Sequence, residues 1–291
     1  MFTGAITALV TPMRGGNVDL SALRAFVDFQ IEAGIDAVVP CGTTGESATL
    51  TDEEQAQVIR TVVEQTRKRV PVIAGAGANS TAKAVQLSKM AAEAGADGLL
   101  HVTPYYNKPN QAGLVAHYSA LAAAVKLPIV VYNVPGRTGC DLLPETMAQL
   151  AKLPGIVAIK EATGLLARGQ QVVAACGEKV SVLSGDDATC LGLTLLGGHG
   201  VISVVSNVIP GPMAKMIAAA RKGALDEARR IHYQYQNLMD LMFVESNPIP
   251  VKAGVAALGF GQNELRLPLV PLGGEKLERL TAELRRLGVL S

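Results

Sequence analysis

Eight short apolar runs, each ending in a glycine, proline or polar turn and each followed by an amphipathic stretch, alternate from the first residues to about position 222. They are GAITALVTP (4–12), DAVVPCG (36–42), PVIAGAG (71–77), GLLHVTP (98–104), PIVVYNVP (128–135), IVAIKEA (156–162), VSVLSGDD (180–187) and GVISVVSN (200–207). Their β-branched and small residues are hydrophobic on both faces, the pattern of strands buried in a parallel sheet. Between them, Leu20, Leu23, Phe26, Val27 and Ile31 share one helical face, as do Val58, Ile59, Val62 and Val63. Thr51 followed by Glu54 makes a capping box at the start of the second of these helices. Eight β-α units of this length predict an α/β chain folded as a (β/α)8 TIM barrel. The rival is a doubly wound sheet, whose best support is GAGANS at 75–80; its sixth position is Ser80, so the dinucleotide fingerprint is incomplete. Past residue 222 the alternation stops. Leu225, Ala228, Ile231, Tyr235, Leu238 and Met242 form one helical face and Leu277, Leu280, Leu284 and Leu287 another, which predicts a barrel over 1–223 and a C-terminal helical extension over 224–291.

Composition narrows the functional classes. Twenty-six basic and 25 acidic residues give a net charge of +1 without a basic run, which argues against nucleic acid as a partner. No apolar run approaches membrane-spanning length and the N-terminus lacks a signal-peptide pattern, so the expectation is a cytoplasmic protein with no membrane partner. Cys41, Cys140, Cys176 and Cys190 are too dispersed for a zinc knuckle, and His101, His117, His199 and His232 lack ligand spacing. Neither a metal nor a cofactor is expected. The motifs of P-loop NTPases, HExxH proteases, α/β-hydrolases and EF-hands are absent.

Barrel enzymes carry their chemistry at the carboxyl ends of the strands, so those ends are where polar groups matter. The second run ends in CGTTGES with Thr43 and Thr44; the fourth in VTPYYNKP with Tyr105 and Tyr106; the fifth in VYNVPGRTG with Tyr132 and Arg137. The sixth carries Lys160, and the seventh and eighth offer Gly185 and the main chain around Ile202. An ammonium in an apolar strand is costly to bury unpaired and tends to give up its proton, which makes it a nucleophile. Alternation along a strand lets Lys160 and Tyr132 face the barrel interior while Glu161 faces the helices. Each feature also has a bland reading. A strand-end lysine can snorkel or pair with a carboxylate, GTTG can be a tight turn, paired tyrosines can pack on a neighbour, and Arg137 can serve a surface ion pair. Asp186 and Asp187 read as turn and helix-start residues without a chemical part.

In order along the chain, GTTGESATL (42–50), VTPYYNKP (102–109), YNVPGRTG (132–139), IKEATG (159–164), LSGDD (183–187), GGHGVISV (197–204) and ESNPIPVK (245–252) resemble the 4-hydroxy-tetrahydrodipicolinate synthases, also called dihydrodipicolinate synthases. These belong to the N-acetylneuraminate lyase superfamily of class I aldolases. The resemblance implies a (β/α)8 barrel with a helical extension, assembled as a homotetramer, a dimer of dimers. It implies a lyase of the diaminopimelate and lysine biosynthesis pathway that condenses pyruvate with L-aspartate 4-semialdehyde. By resemblance, Lys160 forms the Schiff base with pyruvate, and Thr43, Tyr132 and Tyr106 relay protons, with Tyr106 reaching across the dimer interface. Thr44 would hold the pyruvate carboxylate, Arg137 the semialdehyde carboxylate, and main-chain groups at Gly185 and Ile202 would line the pocket. The alternative within the superfamily is an N-acetylneuraminate lyase or another pyruvate aldolase; Arg137 and TPYYNKP favour the shorter, dicarboxylic substrate. A barrel that binds a small acid without catalysis is the alternative outside it. Ser47, Ala48, Asn79 and Tyr105 match the site where lysine-sensitive members bind L-lysine. Lys83, Asp52 and Gln55 depart from the carboxylate and histidines of those members. A cation at position 83 would oppose the effector's ammonium, so feedback by lysine is expected to be weak or absent.

Overall fold

In the computed structural model, which describes residues 2–290, the eight runs are eight parallel strands. They are β1 (Gly4–Ala8), β2 (Ala37–Val39), β3 (Ile73–Gly75), β4 (Gly98–Val102), β5 (Ile129–Asn133), β6 (Ile156–Glu161), β7 (Ser181–Ser184) and β8 (Gly200–Ser203). The order β2-β1-β8-β7-β6-β5-β4-β3 closes on itself through a parallel bridge, Val38 to Val72, with Gly75 N–H donating to the Pro40 carbonyl at 2.9 Å. The (β/α)8 barrel is therefore the observed architecture, and the doubly wound alternative falls. Each strand is shorter than its apolar run because the chain leaves the ladder at the carboxyl end to build the loops of the mouth. A two-residue hairpin, Met13–Arg14 with Asn17–Val18, follows β1.

Parity divides the strands between two cores. Ile6, Val39, Ile73, Leu100, Val130, Ala158, Leu183 and Ile202 pack together inside the barrel, whereas Ala5, Val38, Ala74, Leu99, Val131, Ile159, Val182 and Val201 join the helices outside. Complete burial of each valine, leucine or isoleucine among them contributes about 1.5–3 kcal/mol, and of each alanine less. Register then fixes the site: Tyr132 lies opposite Lys160 and Asn133 opposite Glu161, so the first pair shares the interior and the second the outer face.

Helices follow every strand, among them Leu20–Glu32, Asp52–Thr66, Thr81–Glu93, Leu166–Cys176, Cys190–Leu195 and Pro210–Arg221, and two, Pro135–Thr138 and Pro144–Leu150, follow β5. The predicted capping box is present: the Thr51 hydroxyl accepts from Glu54 N–H at 3.2 Å and the Glu54 carboxylate from Thr51 N–H at 2.9 Å. Three more helices follow, Leu225–Leu241, Ile249–Ala257 and Gly274–Arg286. Their buried residues Ile231, Leu238, Val251, Leu280 and Leu284 continue the outer core without a break. The Ile249–Ala257 helix packs close to the segment after β8, where a Cβ on Gly254 would sit 2.9 Å from Val208. No helix among the described residues is long and apolar enough to cross a membrane.

Candidate active site

The carboxyl ends of β2 to β5 and the loops after them, with Ser246–Pro248 and Pro268–Leu269 of the extension, open onto a cavity of about 590 Å³. Thr43, Tyr132, Arg137 and Asn247 line it, and so do Ser47, Ala48, Lys83 and Tyr105. Lys160 lies below this lining. It is only 5% exposed, and its Nζ stands 4.4 Å from the centroid of the Tyr132 ring. Among the described residues no carboxylate is within ion-pair distance of that amine. The snorkelling and ion-paired readings of the strand lysine are thus both excluded.

Gly185 makes the room for this arrangement. A Cβ at that position would lie 2.5 Å from Ala162 Cβ and 2.9 Å from Lys160 Cε, distances that real side chains do not tolerate. Ile202 is fully buried in the barrel interior on β8, two strands from β6, and neither it nor Gly185 lines the cavity. Glu161, on the outer face, accepts from Thr163 N–H at 2.7 Å and Asn133 Nδ2 at 3.1 Å. Asn133 Nδ2 also donates to Asp141 at 3.0 Å, and Asp141 takes two hydrogen bonds from Arg168 at 2.8 and 2.9 Å. The carboxylate beside Lys160 is thereby committed to the scaffold, as alternation requires.

The GTTG turn has an unexpected construction. Neither Gly42 nor Gly45 has a positive φ; the left-handed positions are Cys41 (55°) and Glu46 (56°), which bracket the turn. Gly45 is needed for close approach instead, since a Cβ there would meet Cys41 N at 3.0 Å and Leu9 O at 3.1 Å. Thr44 is buried, and its Oγ1 accepts from Asn247 Nδ2 at 3.0 Å. The Asn247 carbonyl in turn accepts from Arg137 Nη2 at 3.0 Å, so a single residue of the extension ties the second and fifth loops.

Three sequence expectations look different in three dimensions. Tyr106 is 89% exposed, has φ of 73° and does not line this chain's cavity. Asn79 does not line the cavity either; its carbonyl accepts from Asn107 Nδ2 at 2.9 Å. Lys83 is no bare cation, because it is ion-paired with Asp52 across the cleft. Asp187 lies in the turn before the Cys190–Leu195 helix, as expected, but is more than a turn residue. It is buried, accepts from Val204 N–H at 3.0 Å and Val205 N–H at 2.8 Å, and its desolvation holds the carboxyl above the usual carboxylate range. Asp186 does act as a turn acceptor, taking Thr189 N–H at 2.8 Å. Asn247 and Lys252 do not stand out individually within ESNPIPVK, yet Asn247 bonds Thr44 and Lys252 pairs with Glu46. Their partners are about 200 residues away, so local pattern carries no sign of them.

Fold and site together define a class: (β/α)8 barrels that hold one buried, uncompensated amine on the sixth strand, under a tyrosine, at the base of an open mouth. Within that class, the chain belongs to the dihydrodipicolinate synthetase family, whose model matches residues 1–287. The 4-hydroxy-tetrahydrodipicolinate synthase of Geobacter sp. (strain M21) is 55% identical over 282 residues, 97% of each chain. Among solved structures, the chloride-inhibited dihydrodipicolinate synthase of Acinetobacter baumannii complexed with pyruvate aligns over 100% of both chains at 45% identity with a TM-score of 0.98. The enzyme of Cyanidioschyzon merolae with lysine bound aligns over 99% of both chains at 42% identity and a TM-score of 0.96.

Proposed function

We propose that this protein is a 4-hydroxy-tetrahydrodipicolinate synthase, a lyase of the diaminopimelate and lysine pathway that joins pyruvate to L-aspartate 4-semialdehyde. The observation that carries the mechanism is Lys160, a buried amine with no ion-pair partner, facing the Tyr132 ring below an open cavity. The amine adds to the pyruvate ketone and water leaves, giving a protonated Schiff base. That cation acidifies the adjacent methyl group; loss of a proton produces an enamine, whose carbon attacks the semialdehyde's aldehyde. The substrate's own amino group then displaces Lys160, closing the ring and regenerating the free amine. Tyr132 and Thr43, both on the cavity wall, carry protons to and from these centres, joined by Tyr106 of a second subunit. Thr44 orients the pyruvate carboxylate and Arg137 the semialdehyde carboxylate, with main-chain groups at Gly185 and Ile202 beneath them.

Borohydride reduction in the presence of pyruvate, followed by peptide mass mapping, tests this reading. A reduced adduct on the peptide carrying Lys160 is expected, and its absence refutes the Schiff-base route. Turnover with aspartate semialdehyde against N-acetylneuraminate separates the synthase from the lyase alternative. Lys160→Arg should keep the fold and lose activity by several orders of magnitude, because a guanidinium stays protonated.

The working form is a cytoplasmic homotetramer. Two exposed apolar areas support assembly: Tyr105 and Tyr106 beside the mouth, and Leu165, Leu166, Leu195 and Leu196 on the helices after β6 and β7. Feedback by lysine is weak or absent, since the cleft lined by Ser47, Ala48 and Tyr105 is already bridged by the Lys83–Asp52 ion pair, with Asn79 outside its wall. An effector ammonium gains little from a carboxylate that is neutralised in place.

A further inference from the structure

The ion pair between Lys252 and Glu46 is the most deeply buried in the molecule, with both side chains 2% exposed, and nothing in the chemistry above uses it. Its two ends belong to the segments whose placement the site depends on. Glu46 closes the GTTG turn that presents Thr43 and Thr44, and does so in a left-handed backbone conformation that a non-glycine residue adopts only under constraint. Lys252 sits in the helix Ile249–Ala257, which begins just after Asn247. The Glu46 carboxylate is fully engaged: one oxygen takes Lys252 Nζ and the other accepts Arg266 N–H at 3.2 Å. Arg266 continues the fastening by donating to the Thr49 carbonyl at 2.8 Å. The turn is therefore held from the extension at three places, through Thr44 by Asn247, through Glu46 by Lys252 and through Thr49 by Arg266. A buried pair of this kind adds little stability over an apolar replacement, so its use is better sought in the geometry it enforces.

We infer that Lys252, acting through Glu46, is a positioning residue that holds the GTTG turn in register with the Lys160 amine, so that Thr44 meets the carboxylate of the 2-oxo acid. This inference rests on the reading of Lys160 and Thr44 given above. Removing the pair lets the turn relax toward ordinary torsions and moves the Thr44 hydroxyl and neighbouring amides away from the substrate carboxylate, while the amine and its pocket stay in place.

The test compares wild type, E46Q/K252M, T44V and the triple variant by pyruvate-dependent borohydride trapping, steady-state kinetics and thermal melting. Trapping in the wild type establishes the parent reading independently; its failure there removes that reading and the inference with it. Given wild-type trapping, E46Q/K252M should still melt cooperatively and trap pyruvate, with its half-saturating concentration raised roughly tenfold or more and the KM for the second substrate changed far less. Adding the pair's removal to T44V should raise pyruvate half-saturation no further, because both act on one contact. An unchanged pyruvate requirement in E46Q/K252M, equal losses for both substrates, or full additivity with T44V each overturns the inference. Should the double variant not fold, E46D carries the same test, since it keeps both charges but shortens the reach by one methylene.

Discussion

At the scale of single residues, the site depends as much on absent atoms as on present ones. Gly185 has no chemistry of its own, yet a methyl group there would overlap Ala162 and Lys160 Cε. Gly185→Ala should therefore cost about 1–3 kcal/mol in overpacking and displace the amine, since the Ala162 Cβ cannot yield. Thermal melting together with borohydride trapping checks this: a modest loss of stability with at least a tenfold loss of trapping is expected. A variant that traps pyruvate like wild type shows that the lysine stem moves aside freely. The side of the strand on which Lys160 lies was legible in the sequence, because parity along IVAIKEA fixes it once the strand is placed. The clearance at Gly185 was not, because it is set by the neighbouring strand's register. The burial of Asp187 was hidden for a related reason. Nothing in SGDD reveals that its carboxyl will be buried against the Val204 and Val205 amides.

At the scale of elements, eight apolar runs and a capping box were enough to set the barrel and the start of the Asp52–Thr66 helix. The links between barrel and extension were not visible, because they are made by polar side chains far apart in sequence. Arg266 shows the consequence. It donates to both Glu54 oxygens, at 2.5 and 2.6 Å, and the Glu54 carboxyl is pushed down to about 2, first by that pairing and then, against the opposing cost of burial, by the Thr51 N–H. The folded chain holds this proton less tightly than the unfolded chain, whose glutamate titrates near 4.5. The pair's stabilisation is therefore complete above pH 4.5 and is lost as pH falls from 4.5 toward 2. At about 1.4 kcal/mol per pH unit, and discounted for the partial exposure of both groups, the loss is on the order of 1–2 kcal/mol. Denaturant titrations at pH 6 and pH 3 measure it. Glu54→Gln keeps an acceptor for the capping box and should lose less stability than wild type between those values; an equal loss assigns the acid sensitivity to other groups.

At the scale of the whole molecule, the proposed mechanism leaves one chain with an incomplete set of groups. Lys160, Tyr132, Thr43 and Arg137 come from its own barrel, but Tyr106 points into solvent from a loop held by Tyr106 N–H donating to the Thr138 carbonyl at 3.3 Å. Millimolar L-lysine should leave the initial rate nearly unchanged, because the Lys83–Asp52 pair is made within one chain and already occupies the carboxylate; clear inhibition refutes this. The leucines have a separate use. Leu196→Asp should split tetramers into dimers in sedimentation velocity without abolishing turnover, since those leucines belong to the helices after β6 and β7 and the tyrosines to the loop after β4. The decisive experiment for Tyr106 follows from symmetry. In a two-fold dimer each site would take its amine from one chain and its phenol from the other. Lys160→Ala and Tyr106→Ala, each nearly inactive alone, should therefore recover turnover when co-expressed, because a hybrid dimer holds one site with both groups intact. Random pairing makes half the dimers hybrids with one competent site each, or about a quarter of wild-type activity. A mixture no more active than the two variants separately means that Tyr106 serves its own chain's site or none, and the exposed phenol then needs another explanation.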